Sequence, residues 1–212
     1  MLIIFFIFFL INLCFIIFYN FFRKSINVVD FPDTKRKIHK FPVPLLGGVF
    51  LIVNILLLFS ISLFDDQILY KFLLLKEKKE VFVFFISCLV LFLLGFLDDK
   101  FKLNSYLRFL VFIVLFSFIA EDSHLRIDYI QLSFFKEKLF LNSFSYLITV
   151  LCFLLFVNAF NFFDGINLQS GIYSLFLSII ICFINNSLFF FYILIIFLLI
   201  FLYLNYKNKT FL

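Results

Sequence analysis

The sequence holds no Trp, one Met, two His, three Pro and five Gly in 212 residues, and only 15% of its residues are charged. Each scarcity excludes something. A water-soluble domain is about 45–50% apolar, whereas 65% of this chain is hydrophobic, leaving too little polar surface to face water. Cys14, Cys88, Cys152 and Cys182 lie in apolar runs and form no CxxC pair, so they read as buried free thiols, not as metal ligands or disulfides. The formal charge of +5 is not arranged as a basic stripe interleaved with aromatics in a polar segment, which argues against nucleic acid as a partner. The N-terminal run Leu2–Phe22 lacks a basic leader and a small-residue cleavage site, so it reads as a retained first helix and not as a signal peptide.

What is abundant is Phe, 41 residues of it, and the mean hydropathy is +1.18. The accompanying wealth of Lys, Ile and Asn suggests AT-rich coding, so the aromatic excess is not read as a stacking platform. Apolar runs fall at Leu2–Phe22, Leu45–Phe64, Val81–Leu97, Tyr106–Ala120, Phe144–Phe163, Ile172–Ile184 and Ser187–Leu204. Inside lipid each run must satisfy its own backbone, so each predicts a helix. The expectation is all-α: a polytopic membrane helix bundle of about seven transmembrane helices, forming a single transmembrane domain over 1–212.

Seven alternating crossings sort the connections into two sets. One set holds eleven of the eighteen Lys and Arg residues: Arg23, Lys24, Lys35, Arg36, Lys37, Lys40, Lys100, Lys102, Arg108, Lys207 and Lys209. The other holds the remaining seven beside eight of the thirteen acids. The positive-inside rule assigns the first set to the cytoplasm. All three prolines (Pro32, Pro42, Pro44) fall in the first connection of that set, and all five glycines lie in or near its first three connections. Turns and close backbone approach need these residues, so this side is the expected working face.

Three blocks on that face carry polar chemistry. The first is Val29-Asp30-Phe31-Pro32-Asp33, then Arg36-Lys37-Ile38-His39-Lys40, then Pro42-Val43-Pro44-Leu45-Leu46-Gly47-Gly48. The second is Gly95-Phe96-Leu97-Asp98-Asp99, two adjacent carboxylates closing a membrane-length run. The third is Asn158-Ala159-Phe160-Asn161-Phe162-Phe163-Asp164-Gly165-Ile166-Asn167. An Asp at the centre of a membrane helix costs roughly 2.5–3.5 kcal/mol on insertion scales. Taken alone, Asp98 and Asp99 also fit a helix leaving the bilayer, the basic residues of the first block fit topology determinants, and His39 fits a solvated loop.

Together the blocks resemble the polyprenyl-phosphate sugar-1-phosphate transferases (glycosyltransferase family 4), and their first block is more like the N-acetylglucosaminyl branch than the muramoyl-peptide branch. The first matches a D-x-P-x(3)-R-K-x-H-x(2)-P-x-P-x(2)-GG signature, the second G-x-x-DD, the third N-A-x-N-x-x-DG-x-[DN]. The resemblance implies transfer of a HexNAc-1-phosphate from a UDP-N-acetylhexosamine to a polyprenyl phosphate at the cytoplasmic face of a bacterial inner membrane. It implies Mg²⁺, with Mn²⁺ as a substitute, held by Asp99 and Asp164. Asp98, Asp99 and Asp164 are then the catalytic residues. Arg36, Lys37, His39, Lys40, Asn158, Asn161 and Asn167 are the expected substrate-binding set, and a homo-oligomer is compatible with it.

Two departures accompany the match. After Asn167 the chain reads Leu168-Gln169-Ser170-Gly171, where many members carry D-G-L-A-x-G, so Asn167 keeps polarity without charge. Asn205–Leu212 resembles the stretch that in the family leads into a further acidic motif, G-D-x-G, which reads the chain as an N-terminal portion of such an enzyme. A non-catalytic remnant or a lipid-binding partner subunit is the alternative. Prenyltransferase and CDP-alcohol phosphotransferase patterns are absent: Asp99 is followed by Lys100-Phe101-Lys102, and Asp164-Gly165 by no Ala-Arg pair.

Overall fold

A computed structural model describes residues 2–26, 28–30, 43–64, 77–132, 134, 137–163, 168–184 and 189–207. Every one of the seven expected apolar runs forms helix. The first is broken in two, α1 (Leu2–Ile17) and α2 (Tyr19–Ile26), which meet at an angle of 71°. The others are α3 (Gly47–Phe64), α4 (Lys78–Phe101), α5 (Ser105–Ala120), α6 (Ser145–Phe163), α7 (Gln169–Ile184) and α8 (Phe189–Tyr206). Gly47–Phe64, Lys78–Phe101 and Asn142–Asn161 are each long and apolar enough to cross a membrane, and the bent α1–α2 pair passes the same test as one broken span. Counted with the shorter apolar helices, these make a polytopic membrane helix bundle.

Helix ends differ from the apolar runs in one telling place. α4 starts three residues before Val81 and runs on through Asp98, Asp99 and Lys100 to Phe101. The carboxylates are therefore in the last turns of a helix and not in a loop. Lys102 ends it by taking a left-handed conformation (φ 52°), the position glycine most often fills. Asn104 then caps α5, its side chain accepting from the Tyr106 N–H at 3.2 Å. Leu168, ahead of α7, is also left-handed (φ 70°).

The chain divides into two compact units, Met1–Phe101 with Phe163–Leu212, and Lys102–Phe162. In the first, α1, α3, α4 and α8 bury Phe8, Ile52, Ile55, Leu58, Val81, Phe85 and Ile193 together. A second cluster joins Phe15 and Tyr19 to Leu46, Phe50, Phe197, Phe201 and Leu204, with the Phe15 and Phe50 rings stacked at 4.2 Å. At the α1–α3 seam, Asn12 and Asn54 exchange hydrogen bonds of 2.7 and 3.2 Å, and each also donates to the carbonyl one turn earlier, Phe8 and Phe50, at 2.8 Å. Other buried hydroxyls do the same: Ser87 donates to the Val83 carbonyl and Ser178 to that of Ser174. In an apolar bundle no water is at hand, so polar side chains must find such partners.

Two short ladders interrupt the helices. β1 (Val29–Asp30) pairs antiparallel with β2 (Val43–Pro44), Val29 opposite Pro44 and Asp30 opposite Val43. The Leu45 N–H adds a bond to the Val28 carbonyl at 3.1 Å. In the second unit, β3 (Tyr129–Ile130) pairs with β4 (Leu139–Phe140). Here α5 and α6 pack through Phe116 and Phe153, whose rings stack at 5.2 Å.

Candidate functional site

The β1–β2 ladder clasps the two ends of the first block. The chain leaves β2 through Leu45 and Leu46, and Leu46 is fully buried; the next residue, Gly47, begins α3. The clasp thus fixes where the first turn of α3 sits, and that turn faces α4. Gly48 lies against the Phe92 ring, which a Cβ would meet at 3.8 Å. Gly95 has open space where its Cβ would be.

The room so left is a cleft of about 180 Å³. Leu45, Gly48 and Val49 line one wall; Leu91, Phe92, Gly95, Phe96 and Asp99 line the other. The α4 residues recur at three- and four-residue steps, so they form one helical face, and Asp99 stands at its C-terminal end. The first and second blocks therefore meet in this cleft, apolar along its walls and carboxylate-bearing at one end. Asp98 is half-buried on the adjoining face of α4 and does not line the cleft.

Placing acids in the last turns of a helix runs against its macrodipole. Each carboxylate costs roughly 0.3–1 kcal/mol there unless a cation offsets it. One carboxylate, Asp99, reaches the cleft, and Mg²⁺ takes one or two and completes its octahedron with phosphate oxygens and water. Among the described residues no three His, Cys, Asp or Glu side chains gather to hold a metal without such help.

Asn158 and Asn161 sit near the C-terminal end of α6, in the second unit, and both are exposed. Asn158 donates to the Leu154 carbonyl at 2.8 Å. Arg36, Lys37, His39, Lys40, Asp164 and Asn167 lie outside the described residues. Sequence reasoning passed over the cleft walls Val49, Leu91 and Phe92, and quoted Leu45 and Phe96 only as members of their blocks. Their signal was available: counting back from Asp99 in steps of three and four reaches Phe96, Phe92 and Leu91.

Residues 81–212 match Glycosyl transferase family 4. The chain belongs to this family. The match takes in the Asp98-Asp99 pair and the third block, while the clasped first block precedes it. Among curated members, a "Probable undecaprenyl-phosphate N-acetylglucosaminyl 1-phosphate transferase" of Bacillus subtilis (strain 168) is 26% identical over 157 residues, 74% of this chain. The undecaprenyl-phosphate alpha-N-acetylglucosaminyl 1-phosphate transferase of Salmonella typhi is 27% identical over 147 residues, 69% of this chain. This family 4 chain spans 40% and 36% of those two relatives' lengths. No solved structure matches it significantly.

Proposed function

We propose that the protein serves a phospho-sugar transferase reaction: a HexNAc-1-phosphate passes from a UDP-sugar to a polyprenyl phosphate, giving a polyprenyl-diphosphate-sugar and UMP. The observation that carries this reading is the cleft shared by Gly48 and Leu45 of the first block with Gly95 and Asp99 of the second. The names of the two relatives support undecaprenyl phosphate as acceptor and an N-acetylglucosaminyl donor.

In this reading an oxygen of the lipid phosphate attacks the phosphorus that bears the sugar, and the bond to the departing UMP oxygen breaks. No protein nucleophile is needed, so catalysis is positioning and charge stabilisation. Both reactants are anions and repel one another. Bound Mg²⁺ would offset the charge on the diphosphate, with Asp99 and Asp164 as its protein ligands. Asp98 would orient the lipid phosphate or accept its proton. Arg36, Lys37, His39 and Lys40 would hold phosphate oxygens, and Asn158, Asn161 and Asn167 would hydrogen-bond the nucleotide sugar. The Lys and Arg bias supports a cytoplasmic orientation for this end of the bundle, and the family resemblance supports a bacterial inner membrane.

The test uses membranes carrying the protein expressed from its complete open reading frame, given undecaprenyl phosphate, UDP-N-acetylglucosamine and Mg²⁺. The expected products are lipid-linked sugar diphosphate and UMP in equal amounts, both lost on chelation. Asp99→Asn keeps size and hydrogen bonding but removes charge, and should cut the rate about 10²-fold or more. An Asp99→Asn protein with the full rate, or no sugar phosphate transferred from any UDP-sugar, refutes the reading.

A further inference from the structure

The β3–β4 hairpin has no part in the proposed chemistry, and its construction is unusual for an element in water. Its root is tied to the ends of α5 and α6. Arg126 donates through Nε to the Ala120 carbonyl and through Nη2 to that of Glu121 at 2.9 Å. The Ile127 N–H donates to Thr149 Oγ1 at 3.0 Å, and Ser145 Oγ donates to the Ile127 carbonyl at 2.9 Å. Thr149 is buried one turn inside α6. The chain at Ile127 therefore runs alongside the first turn of a membrane-length helix, level with Ser145 to Thr149.

Beyond this root the hairpin presents apolar side chains on both faces. Strand alternation puts Tyr129 and Phe140 on one face, their rings 6.0 Å apart, and Ile130 and Leu139 on the other. All four are exposed, Phe140 at 66% and Leu139 at 52%. A ribbon in water keeps at least one polar face. The exposed side chains also continue, through Phe144, into the exposed Leu147 and Leu151 of α6, which a spanning helix turns to lipid. The faces differ in one respect: the Lys138 ammonium lies 4.1 Å from the Tyr129 ring centroid, on the aromatic side. At the helix ends Arg126 sits likewise over the Tyr146 ring, 5.6 Å away. Aromatic rings paired with snorkelling cations are the pattern of side chains at headgroup level.

We infer that the hairpin is embedded in the bilayer interface at the α5–α6 end of the second unit. Its partner is the phospholipid surface: Ile130 and Leu139 face acyl chains, while Tyr129, Phe140 and Lys138 face headgroups. The inference is independent of the transferase reading.

Because the chain has no Trp, one substitution supplies a unique fluorophore. The full chain carrying Leu139→Trp is reconstituted in phosphatidylethanolamine–phosphatidylglycerol vesicles, with Ile130→Trp as a second variant in case the first fails to insert. Lipids spin-labelled high on the acyl chain should remove most of the Trp emission, and Phe140→Trp should be quenched less by the same label. Emission like that of indole in water, untouched by labelled lipid, overturns the inference. So does shielded emission that labelled lipid leaves unchanged, the result expected if a second copy or another protein covers the hairpin.

Discussion

Exchanging Asn12 for Leu removes one amide from a buried pair and leaves its partner in hydrocarbon. Asn12 is fully buried and Asn54 is 3% exposed, so no solvent can replace what is lost. Asn54 would keep its bond to the Phe50 carbonyl but lose the 2.7 Å donor to its oxygen and the 3.2 Å acceptor of its own amide. A buried polar group left unsatisfied costs about 1–3 kcal/mol. Hydrogen bonds between membrane helices average about 0.6 and reach about 1.7 kcal/mol. Since two bonds are exchanged, Asn12→Leu and Asn54→Leu should each destabilise by about 1–3 kcal/mol. The double variant removes both amides at once and should fall well short of the sum, by a coupling of about 1–2 kcal/mol. Reversible unfolding in mixed detergent micelles, run on the three variants and the parent, measures that coupling. If the two single changes add to the double within about 0.5 kcal/mol, the limit for independent sites, the pair does not hold α1 to α3 and the reasoning fails.

The other expectations concern glycines. Gly95→Ala should stabilise α4 by up to about 1 kcal/mol, because a Cβ meets nothing there and Ala is the better helix former; Gly95→Phe should leave unfolding near the parent value while abolishing transfer, by filling the cleft. Gly171→Ile should destabilise the α7–α8 contact by about 1–3 kcal/mol, since a Cβ would stand 2.8 Å from Leu202 Cδ2 and 3.2 Å from Phe201 Cε1; an unchanged unfolding midpoint would contradict that packing.

The helices were legible because lipid permits few alternatives: a long apolar run that must satisfy its own backbone has to coil. Their ends were less so. Asp98 to Lys100 looked like a loop because charge usually marks the water side, yet a helix keeps going until backbone conformation stops it, here at Lys102. The bend between Ile17 and Tyr19 left no trace, since neither Gly nor Pro interrupts Leu2–Phe22. Strands of two residues have no period to detect, so the clasp at Val29 and Pro44 was invisible even though its residues had been singled out. The meeting of the first two blocks was expected from their place on one side of the bundle; that Asp99 and not Asp98 lines the cleft was not. The wall that joins them, Leu91 to Asp99 on one face, needed the helix to be extended first. Asn12 and Asn54 gave a plain signal, polar residues inside apolar runs, and it went unread.

The size of the cleft limits what it can recognise. Its described walls hold about 180 Å³, whereas pockets that enclose a whole organic ligand run to about 300–1,000 Å³. The described walls by themselves suit a small group such as a phosphate beside Asp99 and do not enclose a whole sugar nucleotide. On the proposed reading a nucleotide-sugar donor extends beyond these walls, and Leu91, Phe92 and Phe96 do not choose between one amino sugar and another. Re-engineering that choice is work for other parts of the protein.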